Sequence, residues 1–197
     1  MLIENTPTLE TQRLILRKFS VSDITDMQAL YGDNEVNKFL PWFPMKTKNE
    51  VYEYLNKAIF PCYQMDIAYN YAVTMKTNGR VIGYVHINDI GDSNDLGYAL
   101  NKEFWHQGMA FEACSAVVER FFKAGFQFIT ATHDINNPSS GAVMKKLGMT
   151  YRYSYKEQWQ PKNIPVIFRM YQLDFDGIER TYAGYKNKYP FFVEQIL

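Results

Sequence analysis

Two segments constrain the fold of this chain more than any other part of it: Asp95 to Ala113 (DLGYALNKEFWHQGMAFEA) and His133 to Met149 (HDINNPSSGAVMKKLGM). The first runs from a strand pattern through a short polar connection to a glycine-containing turn that opens directly into a long amphipathic helix. Backbone N–H groups around Gly108 and in the first turn of such a helix have no intrahelical partner, and the helix dipole adds positive potential there. This pattern predicts an anion site that can seat a diphosphate without any arginine. The second segment sets Asn137, Pro138, Ser139 and Ser140 ahead of a short helix that Gly148 stops as a left-handed terminal residue. Together the two predict one ligand cleft.

The remaining elements alternate. Leu14 to Phe19 has a strand pattern, and Ser20 with Asp23 forms a capping box ahead of Ile24, Met27, Leu30 and Tyr31 at helical spacing. Thr47 and Glu50 repeat the box before Val51, Tyr54, Leu55, Ala58 and Ile59, a second helix that Pro61 is expected to end. Ala68 to Thr74 and Val81 to Asn88 are β-rich, and Asn78-Gly79 between them is a strong hairpin signal. Phe111, Cys114, Val117, Val118, Phe121 and Phe122 define the expected inner face of the central helix. Phe128 to His133, Thr150 to Gln158 and Ile164 to Leu173 are further strands, and the short helix runs from Ser140 to Leu147. The pattern is that of one α/β domain of the α+β kind over residues 1–175. Residues 176–197 form an aromatic extension, with Tyr182, Tyr185, Tyr189, Phe191 and Phe192, expected to pack on the domain or on a second subunit as a homodimer.

Charge and cysteines narrow the function classes. Lys plus Arg equals Asp plus Glu at 21 each, so no basic excess points to nucleic acid or to an anionic membrane surface. The two cysteines, Cys62 and Cys114, are too few and too far apart for a disulfide framework or a zinc site, and His86, His106 and His133 lack metal-ligand spacing. No metal is expected. Without a signal-like N-terminus or a membrane-length apolar run, the expectation is a soluble cytoplasmic protein.

Four blocks in order resemble the GNAT superfamily of acyl-CoA N-acyltransferases, and more narrowly its RimJ/RimL-like branch, which includes ribosomal-protein N-terminal acetyltransferases. LETQRLILRKF is similar to the first strand of that branch, LGYAL to its fourth, WHQGMAFEA to its pyrophosphate loop, and NPSSGAVMKKLGM to its second CoA-contacting segment, so that the likeness spans roughly Leu9 to Leu173. A lone Gly-x-Ala would carry nothing; the order of the blocks does. The resemblance implies a mixed, mostly antiparallel twisted sheet of about six to seven strands flanked by helices.

It also implies roles. Backbone groups of Tyr98, Ala99 and Leu100 would hold the pantetheine arm of acetyl-CoA like an added strand, with an N–H at a bulge of this strand as oxyanion donor. His106, Gln107, Gly108, Met109 and Ala110 would present N–H groups to the diphosphate, and Asn137 and Ser140 would line the co-substrate, although Asn and Ser before a helix are also ordinary capping residues. Asp95 matches an acidic position of the branch, usually glutamate, and is the candidate base; as an isolated aspartate at a strand end it is equally an ordinary turn residue. Many members of the superfamily carry a tyrosine as general acid for the leaving thiolate where this chain has Met144, so Ser140 or water would substitute. A thiol of pKa near 8.5 gives a tolerable leaving group near neutrality.

The acceptor is less determined. Phe39 to Pro44 lie between the first two helices, which wall the acceptor site in this family; Trp42, Phe43 and Trp159 are the candidates to touch a small-molecule or peptide amine, against the alternative that these aromatics only close the core. Two other classes stay open at this level. One is a non-catalytic acetyl-CoA-binding module, favoured by Met144; the other is an oligomerising interaction protein with a vestigial loop.

Overall fold

The computed structural model describes residues 4–195. A single sheet runs through it in the order β1 (Leu9–Glu10), β2 (Leu14–Arg17), β3 (Tyr69–Met75), β4 (Val81–Asn88), β5 (Asp95–Leu100), β6 (Phe128–Asp134), β8 (Ile164–Asp174), β7 (Thr150–Trp159) and β9 (Phe191–Phe192). Every neighbouring pair is antiparallel except β5 and β6. Among the described residues the sheet has nine strands against the expected six to seven; β1 and β9, two residues each, lie at its two edges, too short to carry a periodic pattern.

Helices cover both faces. On one side α1 (Ile24–Gly32), the single turn α2 (Asn34–Asn37) and α3 (Lys48–Tyr54), with Leu55 just after it, bury Met27, Leu30, Tyr31, Val51 and Leu55 against Ala72, Val81 and Tyr84. Both expected capping boxes form, at Ser20/Asp23 and at Thr47/Glu50. Asp23 also takes a bidentate pair from Arg17 at 2.7 and 2.8 Å, which outweighs the burial that opposes its ionisation and holds its pKa below the usual carboxylate value. Pro61 does not simply stop the second helix: the chain passes through a wide turn at Leu55–Ile59 into a tight one at Phe60–Gln64, and Pro61 sits at its start, where no N–H is needed.

On the other side α4 (Met109–Lys123) and α5 (Pro138–Lys146) cover the larger core. Met109, Ala113, Cys114, Val117, Val118 and Phe121 face inward at helical spacing. Phe122, expected among them, is 51% exposed and rests on Phe175, because a residue next to Phe121 lies 100° round the helix from the buried stripe. The C-terminal segment carries α6 (Gly184–Lys188) and β9, and Tyr185 and Tyr189 stack on Tyr155 at 5.1 and 5.3 Å.

One break in the sheet positions everything that follows. β4 and β5 pair along six successive positions, but β5 touches β6 at a single one, Asp95 opposite Thr130. Beyond it the two parallel strands separate. β6 then pairs with β8 from Phe128 to Asp134, so the gap between β5 and β6 is held open from both sides.

Candidate active site

The gap opens into a cavity of about 810 Å³, lined by β5, the His106–Phe111 turn, the start of α5, the Val36–Trp42 loop and the β7/β8 hairpin. Its size is that of a ligand cleft. The register fixes which backbone groups face it. Asn101 N–H donates to the Ile82 carbonyl at 2.8 Å, and hydrogen bonds alternate along an antiparallel pair, so Ala99 and Gly97 spend theirs on β4. Tyr98 and Leu100 point theirs into the gap. The Leu100 carbonyl is already taken by Trp105 Nε1 at 2.7 Å, which leaves the Leu100 amide and both backbone groups of Tyr98. All three residues expected to hold an added chain line the cavity, but only Tyr98 and Leu100 turn backbone groups to the gap; those of Ala99 go to β4. Nor does β5 carry the expected bulge, since its register on β4 is continuous from Asp95 to Leu100. Its exposed amides are the ordinary alternate ones of a strand that has lost its neighbour.

At the far end of β5 the chain turns into α4 through two left-handed residues, His106 at φ 59° and Gly108 at φ 77°. A side chain is tolerated poorly in that conformation, hence glycine at the helix boundary. The first backbone hydrogen bond into α4 runs from Glu112 N–H to the Gly108 carbonyl at 3.0 Å, so the amides of Met109, Ala110 and Phe111 precede it. Among the described residues the amides of His106, Gln107 and Gly108 have no backbone partner either. A row of free donors of this kind suits an anion. Gln107 contributes no side chain to the cavity; its amide group binds the Glu103 carbonyl at 2.6 Å.

Across the gap, Asn137 caps α5 by accepting from Ser140 N–H at 3.3 Å, the role its position before a helix suggests. Ser140 is joined to β5: the Tyr98 hydroxyl donates to the Ser140 carbonyl at 2.8 Å and lies 3.0 Å from its Oγ. Burial raises the Tyr98 phenol well above its usual value, against a smaller opposing effect of Ser140, so this hydroxyl stays protonated. Met144 is 1% exposed and packs into the larger core.

Asp95 begins β5 at the other end of the cavity. Its Oδ1 is buried and has no hydrogen-bond partner among the described residues. Burial pushes its pKa up to about 7; the hydroxyls of Tyr185 and Thr130 favour the charged form and offset only part of this, and Asp89 adds to the rise. Next to it His86 stacks on Tyr84 at 5.3 Å and covers Gly97, where a Cβ would come within 2.1 Å of the imidazole. Burial brings His86 down to about 4, so it is neutral near pH 7.

The walls here are aromatic. Trp42 packs on Tyr31 and Tyr54, and Trp159 meets Phe168 edge-on at 5.2 Å; both line the cavity. Phe43 does not: it is 61% exposed and lies outside the lining, because the loop turns its neighbour Trp42 inward instead. Lys162, at the tip of the β7/β8 hairpin, reaches across to the Asn37 carbonyl at 2.5 Å and closes this end. Tyr155 and Tyr185 complete it. Sequence reasoning missed both, together with His86: nothing local marks a strand tyrosine or a C-terminal tyrosine as a cleft residue. Among the described residues no cluster of His, Cys, Asp or Glu could hold a metal ion, and no helix is long and apolar enough to cross a membrane.

Comparison with known proteins agrees with this geometry. The family described as an acetyltransferase (GNAT) domain matches residues 13–150. The uncharacterized N-acetyltransferase YnaD of Bacillus subtilis (strain 168) is 29% identical over 155 residues, covering 76% of this chain and 86% of that one. The structure of RimL, a ribosomal L7/L12 alpha-N-protein acetyltransferase in complex with coenzyme A, superimposes with a TM-score of 0.75 at 19% identity, over 87% of this chain and 100% of that one. A ribosomal-protein-S5-alanine acetyltransferase from Vibrio fischeri gives 0.70 at 18% identity, over 88% and 100%.

Proposed function

The chain belongs to the GNAT acetyltransferase family, and from that premise we propose that it moves the acetyl group of acetyl-CoA to a primary amine, on a peptide N-terminus or a small molecule, by direct attack in a ternary complex. The observation that carries the reading is the continuity of the cleft: free amides of β5, the turn at His106 and Gly108–Ala110 with its free amides, and the Asp95 carboxyl, whose Oδ1 has no partner among the described residues, open into one cavity. The donor set suits acetyl-CoA. The turn amides match a diphosphate, and the Tyr98 and Leu100 groups match the amides of an extended pantetheine arm.

The chemistry asks for a neutral amine. Deprotonating an α-amino group at pH 7 costs about 1 kcal/mol, and a lysine-like amine about 4.6 kcal/mol. A carboxylate with pKa about 7 matches the first better. Asp95 accepts the proton from the attacking amine, directly or through a water; the amides facing the gap from β5 donate to the oxygen that gains charge; and the Ser140 hydroxyl, supported by its contact with Tyr98, returns a proton to the sulfur. Trp42 and Trp159 flank the acceptor, with Asp89 and Glu157 also on the lining. A cytoplasmic location belongs to the same proposal and is supported by Cys62 and Cys114, both free thiols. So does a homodimer, for which Phe191, Phe192 and Val193 offer exposed apolar surface at the β9 edge.

A screen of amines and short peptides with acetyl-CoA, read by thiol release and by mass of the product, tests the reading. The expected result is an N-acetylated product in one acceptor class. Tight binding of acetyl-CoA without turnover on any acceptor contradicts it and favours a non-catalytic binding module.

A further inference from the structure

The turn that faces the diphosphate is tied down by a residue outside the cleft. Arg13 lies just before β2, next to the β1 edge of the sheet. Its Nε donates to Glu112 Oε2 at 2.7 Å and its Nη1 to the Gln107 carbonyl at 3.0 Å. Its own amide donates to Glu112 Oε1 at 2.8 Å, and the Thr11 hydroxyl donates to the same oxygen at 2.6 Å. A Cβ at Gly108 would lie 3.7 Å from Arg13 Nη2, so the guanidinium rests against the glycine of the turn. Two consequences follow from charge and from direction. Glu112 stands in the first turn of α4, the end to which an anion would come, and an unpaired carboxylate there would repel it. The Gln107 carbonyl is an acceptor within a row of donors, and Arg13 occupies it.

We propose that Arg13 is a positioning residue for donor binding: by fastening the Glu112 carboxylate and the Gln107 carbonyl to the start of β2, it keeps the His106–Ala110 amides aimed at the CoA diphosphate and cancels a charge that would oppose it. The proposal rests on reading this turn as the diphosphate cradle. Glu112 is accordingly held ionised: burial opposes this, but Thr11 and Arg13 together bring its pKa below the usual value.

Calorimetric titration of the full chain with CoA, beside NMR titration with pantetheine, which lacks the diphosphate, tests it. Arg13→Met is expected to weaken CoA binding about tenfold and Arg13→Lys, which keeps the charge without the fork, about threefold. Adding Glu112→Gln to Arg13→Met recovers most of the loss, while pantetheine affinity stays within about twofold of wild type throughout. Equal weakening of CoA and pantetheine, or unchanged CoA affinity in Arg13→Met, overturns the proposal. Should Arg13→Met fail to fold, Arg13→Lys alone decides by the same ratio. Wild-type protein that binds no CoA overturns the functional reading and this inference with it; wild-type binding with an indifferent variant overturns this inference alone.

Discussion

The two ends of the cleft are built on different principles. At the end proposed to hold the donor, the groups that face the cavity are backbone amides, of Tyr98 and Leu100 on an unpaired strand edge and of the turn at His106 and Gly108–Ala110. At the end proposed for the acceptor they are side chains: Asp95, Trp42, Tyr155, Trp159 and Tyr185, brought from four separate stretches of chain, two of them from β7. A backbone site needs only the right element order and a residue able to take the left-handed turn. A side-chain site needs the whole fold to be in place, and it can be retuned one residue at a time. The contrast implies that donor binding and acceptor chemistry can be damaged separately.

The largest separation is expected at Asp95. Asp95→Asn should lower turnover about a hundredfold while CoA affinity changes less than about twofold, because a proton acceptor contributes to the transition state and not to holding the donor. The pH profile sharpens the point. A carboxyl raised to about 7 is a base only above that value, so the wild-type rate should climb with pH through about 7, and the variant should lack that limb.

A smaller effect is expected at the wall. Trp159→Ala should raise the acceptor KM about tenfold and leave CoA affinity unchanged, since an aromatic that flanks the amine loses contact area without touching the turn. Steady-state kinetics with the acceptor found by screening would check it.

The smallest is a stability effect at the same aspartate. The folded state keeps the Asp95 proton up to about pH 7, whereas the unfolded chain releases it near 3.8. The folded protein therefore binds the extra proton between these values, and stability falls as pH rises across that window. Asn has no such dependence. Urea unfolding should show Asp95→Asn gaining about 1–2 kcal/mol on wild type between pH 4 and pH 8, less than the full shift because the side chain is partly open to solvent.

The same contrast explains what could be read from sequence. The limits of β5, the hairpin at Asn78-Gly79 and the start of α4 after Gly108 follow local rules of turn and cap chemistry, and they appear where those rules put them. The donor end was legible because it is made of these elements. Its details were not: the missing bulge and the diversion of Ala99 to β4 depend on register, which only the paired strands define. At the acceptor end Asp95 was picked out by the family resemblance and not by any local pattern, and it does line the cavity, while Phe43 was assigned to a wall that its neighbour Trp42 forms. Tyr155 and Tyr185 meet only because the C-terminal segment folds back on β7, a contact between residues 30 apart in number that no local pattern announces. Arg13 escaped for the same reason, being joined to Glu112 across 99 positions.

The backbone character of the donor end is tested most directly at Gly108. Calorimetric titration of CoA into wild type, Trp159→Ala and Gly108→Val compares the two ends in one experiment. Forcing a β-branched residue into φ 77° should disturb the row of amides and weaken CoA about a hundredfold. Trp159→Ala should bind as wild type does. Equal affinity in Gly108→Val and wild type, or a loss in Trp159→Ala as large as that in Gly108→Val, would contradict a donor end held by the backbone of this turn.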